Sequence, residues 1–278
     1  MCFSKDITPS TPALIIIAID QSGSMLEAFE HVSMIVSKSE IAAMIASALI
    51  DELSARARHA DKWRHYFDIV VLGYSGIDAY PLLGDNLNPI PITMLEGREP
   101  KLIERIFEYI TDDNHLQLVQ NSYHEWIKPK AAGPTPMLEM LDRIADITRE
   151  WCTNRRNNNS LPPIVFNITD GLDDMEYTTL HKLKCDTIKS IGTSDGNCMI
   201  VNVCVDSCPK QMRLNFPESS QIPPSHPASM LAQMSSPMPQ RFTQLVKKHN
   251  HNSTTQTLAL CYNATALEII PYLSMATE

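Results

Sequence analysis

"ALIIIAIDQSGSML", residues 13 to 26, changes character within two residues. Its first half is a run of aliphatic side chains, many of them β-branched, without the polar alternation of a strand that has one wet face. Such a run predicts a strand buried on both sides, the situation of a central parallel strand covered by helices. The run ends at Asp20, and Gln21, Ser22, Gly23 and Ser24 follow. A buried strand therefore delivers a carboxylate and two hydroxyls to its carboxyl end, where open parallel sheets bind their ligands.

Four further segments read as companion strands: 66 to 74 (YFDIVVLGY), 163 to 169 (PIVFNIT), 199 to 206 (MIVNVCVD) and 256 to 262 (QTLALCY). Helices are expected over about 36 to 59, 99 to 111, 116 to 127, 136 to 151, 177 to 190, 228 to 234, 239 to 249 and 264 to 274. In the first, Ile41, Ile45, Leu49 and Leu53 recur at helical spacing, with Lys38 and other charged residues on the remaining faces. Alternating strands and helices predict an α/β fold: a doubly wound, mostly parallel sheet with helices on both faces. The stretch "YSGIDAYPLL" (74 to 83) suits a hairpin leading to one antiparallel edge strand. Residues 1 to 12 read as an N-terminal extension and 13 to 275 as a single domain, with a proline-rich crossover loop at 207 to 229.

Composition narrows the function. At 278 residues, with 44% apolar side chains, the chain can bury a sizeable core. A formal net charge of -9 argues against a broad phosphate-binding surface, so no nucleic-acid partner is expected. The seven cysteines are odd in number and scattered in apolar surroundings, as buried thiols of a reducing compartment are. The Ala13 to Ile19 run is too short for a membrane span and lacks the flanks of a signal peptide, so a cytoplasmic location and no membrane partner are expected.

The spacing Asp20-x-Ser22-x-Ser24 gathers hard oxygen donors, with Gly23 read as the residue that lets the backbone bend between the hydroxyls. Such donors suit a small divalent cation, Mg²⁺ above all. A second strand, "PIVFNITDG", ends in Asp170 and Gly171, and "AAGPTPML" (131 to 138) holds Thr135 between two prolines directly before a helix. These three pieces, in this order, resemble the von Willebrand factor A (VWA) domain and its metal-ion-dependent adhesion site, or MIDAS. The resemblance places the metal ligands on Asp20, Ser22, Ser24, Thr135 and Asp170, and implies one Mg²⁺ (or Mn²⁺) ion. The sequence after Ser24 (Met25, Leu26, Glu27, Ala28) lacks the extra acidic residues that add a second cation in integrin-type members. The segments "MLAQMSSPMPQRF" and "LCYNATALEIIPYL" look most like stand-alone bacterial intracellular VWA proteins, including those encoded near tellurium-resistance and kinase or phosphatase partners.

Other chemistries fit less well. A haloacid-dehalogenase phosphotransferase needs an aspartate two positions after Asp20, where Ser22 stands. Ser22 and Ser24 lie outside a Gly-x-Ser-x-Gly elbow, and no nucleotide-binding P-loop motif occurs. Cys204 with Cys208, and the "HNH" at 249 to 251, lack companion ligands for zinc. Asn167 begins an Asn-x-Thr triplet inside an expected core strand, so glycosylation there is not expected.

What remains is binding rather than catalysis. The resemblance implies a non-catalytic module that captures an Asp or Glu of a partner protein through the metal, as a scaffold or regulator in a bacterial multi-protein system. A kinase and phosphatase pair are candidate partners. The rival reading is a VWA subunit of an ATPase-coupled remodelling or metal-chelatase complex, with an AAA+ ATPase as partner. In the crossover loop, Met212, Phe216 and Ile222 are candidate apolar anchors for a partner.

Overall fold

The computed structural model describes residues 3–29, 36–60, 62–110, 116–171, 178–205, 213–223, 228–249 and 257–262. In chain order the elements are β1 (Ala13–Asp20), α1 (Lys38–Ala57), the short pair β2 (Arg58–His59) and β3 (Lys62–Trp63), β4 (Phe67–Ser75), β5 (Asp78–Pro81) and β6 (Ile90–Pro91). They continue with β7 (Leu102–Ile110), β8 (Leu116–His124), α2 (Met137–Thr153), β9 (Ile164–Thr169), α3 (Thr178–Ser190) and the pair β10 (Gly192–Thr193) and β11 (Gly196–Asn197). β12 (Met199–Cys204), β13 (Leu214–Asn215), α4 (Ala228–Met234), α5 (Gln240–His249) and β14 (Leu260–Tyr262) complete the described chain.

The main sheet runs β13-β14-β12-β9-β1-β4-β5, with β6 also on β4. β14, β12, β9, β1 and β4 are mutually parallel, and β5 is the antiparallel edge strand that the sequence predicts. Two-residue β13 makes the opposite edge antiparallel as well. Every residue of β1 and β9 is buried, as strands sandwiched between two helical layers must be. Ile15, Ile17 and Ile19 share one core with α1 and α5, whereas Leu14, Ile16 and Ala18 share the other with α2, α3 and α4. This is the doubly wound α/β architecture, and the helices near 136, 177, 228 and 239 form where apolar spacing predicts them.

One expectation is corrected. The described residues of 99 to 111 and 116 to 127 are not helical: Leu102–Ile110 and Leu116–His124 are the arms of the β7–β8 hairpin, paired over nine positions from Leu102↔His124 to Ile110↔Leu116. Ile103, Ile106, Phe107 and Ile110 happen to fall at i, i+3, i+4 and i+7, so local spacing imitates a helix while β-branched content favours a strand. Strand alternation shows in the burial: Leu102 and Ile106 are exposed, whereas Ile103 packs on the core. The hairpin lies on the outer side of α1, which explains why that helix is buried nearly all round rather than amphipathic. Asp51 of α1 accepts hydrogen bonds from the His124 amide (2.7 Å) and Trp126 Nε1 (2.7 Å), and Ser47 Oγ accepts from the Ile127 amide (3.1 Å).

Residues 3 to 12, read as an N-terminal extension, pack on the rest of the chain: Phe3 is fully buried against Phe242, and Asp195 accepts hydrogen bonds from the Ser4 amide and hydroxyl. The expected helix at 264 to 274 lies outside the described residues. Cys152, Cys185, Cys198, Cys204 and Cys261 are buried, and burial pushes the Cys152 and Cys185 thiols up to about 12. Asn167 is buried and hydrogen-bonds Tyr74 Oη and Asn202. Among the described residues no helix is long and apolar enough to cross a membrane.

Candidate functional site

The chain passes from β1 outward to β4 on one side, and later strands build out from β9 on the other. The order therefore reverses between β1 and β9, which opens a crevice at their carboxyl ends. β1 ends there in Asp20, and β9 leads into Asp170. Ile19 stands level with Ile168, so Asp20 falls beside Thr169. Thr169 Oγ1 donates to Asp20 Oδ2 at 2.9 Å, and the Ser22 amide donates to Asp20 Oδ1 at 2.9 Å. Ser22 Oγ and Ser24 Oγ are 3.1 Å apart. Asp20, Ser22 and Asp170 are buried, and Ser24 is half-buried.

Thr135 reaches the same rim through backbone stitching. The Ala132 amide donates to Gln21 O (2.8 Å), the Gly23 amide to Gly133 O (2.8 Å) and the Gly76 amide to Pro134 O (2.9 Å). The 132–135 segment is thereby clamped between the loop after β1 and the β4–β5 turn. Half-buried Thr135 then precedes α2, whose first residue Met137 donates its amide to Thr135 O at 3.0 Å. Gly133 and Gly76 both turn left-handed in this assembly (φ 79° and 75°), and a Cβ on Gly133 would come within 3.3 Å of the Gly76 nitrogen. Gly23, expected as the tight bend, has no positive φ; its part is the close backbone contact with Gly133. Gly171 (φ 78°) turns the chain immediately after Asp170.

Burial pushes the Asp20 carboxyl up from 3.8 to about 6. The Ser22 hydroxyl and amide pull it back, the Asp170 charge raises it further, and Thr169 lowers it. A carboxylate held so far from water, facing a second one and a pair of hydroxyls, is an arrangement that a cation stabilises. The donor set thus fits a hard divalent ion: two carboxylates and the hydroxyls of Ser22, Ser24 and Thr135. Among the described residues no group of three His, Cys, Asp or Glu side chains gathers to hold a metal, so the donors these residues offer an ion here include hydroxyls.

Two residues at this site escape a reading of the motif alone. Thr169 orients Asp20, and its only signal is a hydroxyl residue at the end of a buried strand. Lys38, expected on a solvent face of α1, is only 2% exposed, with Nζ 2.6 Å from Glu27 Oε2 and 3.5 Å from Asp170 Oδ2. Its signal is its place at the first helical position, next to the Ser37–Glu40 capping box.

Of the candidate anchors in the crossover loop, Phe216 and Ile222 are buried, each in one of the two cores, and Met212 lies outside the described residues. The Phe216 amide donates to Leu260 O, and the Leu258 amide to Pro217 O, so this segment closes the far edge of the sheet. That edge is separated from β1 by β14, β12 and β9. A cleft of about 570 Å³ opens at the amino ends of the strands, next to Pro12, Asp68 and Trp151. In it Asp68 is bonded to His65 Nε2 (2.6 Å) and Trp151 Nε1 (2.8 Å), and it holds none of the strand-end donors.

Neither a protein-family model nor a curated protein matches the chain. Solved structures do. An aerotolerance-related membrane protein from Bacteroides fragilis is 16% identical, with 69% of this chain and 67% of that chain covered at a TM-score of 0.34. Proximal thread matrix protein 1 from the mussel byssus is 10% identical, covering 96% of this chain and 47% of its own, at a TM-score of 0.49. The adhesive tip pilin GBS104 of Group B Streptococcus agalactiae is 10% identical, with 91% and 75% covered at a TM-score of 0.30.

Proposed function

We propose that this chain is a VWA-type protein-binding module whose rim holds one Mg²⁺ or Mn²⁺ ion on Asp20, Ser22, Ser24, Thr135 and Asp170. The observation that carries this reading is the assembly, at a topological switch point, of two buried carboxylates with a close hydroxyl pair. Burying such groups without a cation is costly, and among the described residues no arrangement for proton transfer or nucleophilic attack accompanies them. The chain is accordingly proposed to bind rather than catalyse. The ion, when bound, supplies a Lewis-acidic coordination position for an oxygen ligand. The protein's residues supply the rest: Thr169 and the Ser22 amide orient Asp20, and the clamped 132–135 segment holds Thr135.

The ligand class is an Asp or Glu side chain of a partner protein. Beside the rim runs a cleft of about 470 Å³ with Gln21, Glu125, Trp126, Lys128 and Lys130 among its lining residues, so cations outnumber anions there. Lys130 is held over the Tyr80 ring (4.4 Å) and donates to Tyr80 Oη, which in turn donates to Gln21 Oε1. Basic groups next to the metal favour an acidic segment over a basic one, against the chain's overall negative charge. A bacterial scaffold or regulator is the role we favour. Service to an ATPase-coupled or metal-chelatase complex is the same chemistry with a different partner.

Calorimetric titration of metal-free protein with Mg²⁺ and Mn²⁺ is the test. Wild type is expected to bind one ion and Asp20→Ala none; equal affinity in both overturns the site. Partner capture should be lost with EDTA and with Asp20→Ala alike. Metal-dependent phosphatase turnover abolished by Asp20→Asn would replace the binding reading with a catalytic one.

A further inference from the structure

A buried lysine that touches a proposed metal ligand calls for an explanation. The Lys38 ammonium is almost wholly removed from water, and that burial is tolerable only where opposite charge answers it. Among the described residues the answer comes from two carboxylates of different kinds. Asp170, whose side chain is fully buried, lies at 3.5 Å, and Glu27, whose side chain is 61% exposed, lies at 2.6 Å. Glu27 sits three residues after Ser24, and its backbone carbonyl accepts the Lys38 amide at 2.9 Å. The loop after β1 and the start of α1 are therefore joined twice, by backbone and by side chain.

We infer that Lys38 is the resident counter-cation of the oxygen cluster, competing with the divalent ion for Asp170, and that Glu27 is the second acceptor that retains its ammonium when the ion binds. The inference rests on the metal site proposed above. Its logic is charge balance. Without a metal, Asp20 and Asp170 are like charges in a poorly hydrated rim, and Lys38 offsets one of them. With a divalent ion present, Lys38 becomes a like charge close to the ion and opposes its binding unless a carboxylate screens it. Glu27 supplies that screen. Lys38 thus sets the affinity of the site: it holds the empty rim together, and it keeps the ion from binding so tightly that the loops lose their freedom to respond to a partner.

This account makes residues 2.6 Å apart act with opposite sign, which a purely structural contact does not. The probe is Mg²⁺ alone, titrated by calorimetry into wild type, Lys38→Met and Glu27→Gln, with urea unfolding of each protein in EDTA. Lys38→Met should bind Mg²⁺ about tenfold more tightly while its metal-free form unfolds at lower urea. Adding Asp170→Asn to Lys38→Met should restore the urea midpoint of the metal-free form. Glu27→Gln should bind Mg²⁺ roughly threefold to tenfold more weakly, with little change in its urea midpoint. Because the Glu27 side chain is largely exposed, this variant tests the inference even if Lys38→Met fails to fold. Weaker binding by Lys38→Met, or affinity in Glu27→Gln equal to or above wild type, would overturn the inference. If wild type binds Mg²⁺ and Asp20→Ala does not, while Lys38→Met and Glu27→Gln match wild type, the metal site stands and only the role of Lys38 falls. If wild type binds no divalent ion, both fall.

Discussion

The rim at the ends of β1 and β9 and the far edge of the sheet around Leu214–Ile222 are both places where the sequence suggests recognition, yet they bury opposite things. At the rim, Asp20, Ser22, Lys38 and Asp170 are withdrawn from water, although hiding charge and hydroxyls costs free energy unless every group is answered. At the far edge, Leu214, Phe216 and Ile222 are withdrawn, which is favourable by about 1.5–3 kcal/mol for each large side chain. An apolar residue in a proline-rich loop is therefore ordinary packing once the fold covers it. A buried carboxylate pair with an ammonium beside it is not explained by packing. The contrast assigns stability to one region and chemistry to the other.

Truncation at the far edge should give the largest effect. Phe216→Ala is expected to destabilise the protein by about 3–5 kcal/mol, since it empties a fully packed site. Urea unfolding measures this, and Mg²⁺ affinity of the folded fraction should stay at the wild-type value. A stable Phe216→Ala variant with impaired partner capture would break the contrast and return the loop to recognition.

The rim should show its cost through pH. The folded-state pKa of Asp20, about 6, lies above its ordinary 3.8, so its contribution is most favourable below about pH 4 and is lost as pH rises through about 6. The loss is on the order of 3 kcal/mol at most. In EDTA, urea midpoints should therefore contain a component that falls between about pH 4 and pH 6 and is absent from Asp20→Asn. Saturating Mg²⁺ should offset that fall by binding the ionised carboxylate.

Thr135→Ala should weaken Mg²⁺ binding about tenfold, roughly 1.4 kcal/mol, with the urea midpoint of the metal-free protein nearly unchanged, because Thr135 is only half-buried. Thr169→Val should have the smallest effect. It keeps the shape but deletes the 2.9 Å hydrogen bond to Asp20, so the carboxyl is raised further and Mg²⁺ affinity near neutral pH falls about threefold. Equal affinities in Thr169→Val and wild type would show that Asp20 is oriented by the Ser22 amide alone.

Legibility in the sequence followed locality. The aliphatic runs of β1 and β9 announce their own burial, and the residues that end them announce the rim, so Asp20 and Asp170 are found without coordinates. The β7–β8 hairpin was misread because Ile103, Ile106, Phe107 and Ile110 have helical spacing, and pairing with a strand beginning at Leu116 is decided by contacts that no local window contains. The burial of Phe216 and Ile222 is illegible for a similar reason. Apolar residues between prolines look exposed until β14 is known to receive them.

The sequence by itself determined which oxygen donors stand at which strand ends, because hydrophobic period and chain direction are properties of short segments. It also determined the mostly parallel, helix-covered sheet, since runs of Ile and Val tolerate little else. Only the tertiary structure decided that β1 and β9 are neighbours, that Thr169 grips Asp20, and that the 132–135 segment is clamped between two loops. It likewise turned Lys38 from a presumed surface charge into a buried cation facing Asp170. The reason is physical: such relations depend on which distant segments share one crevice, and the free energy of a buried charge is set by those neighbours rather than by the residues beside it in the chain.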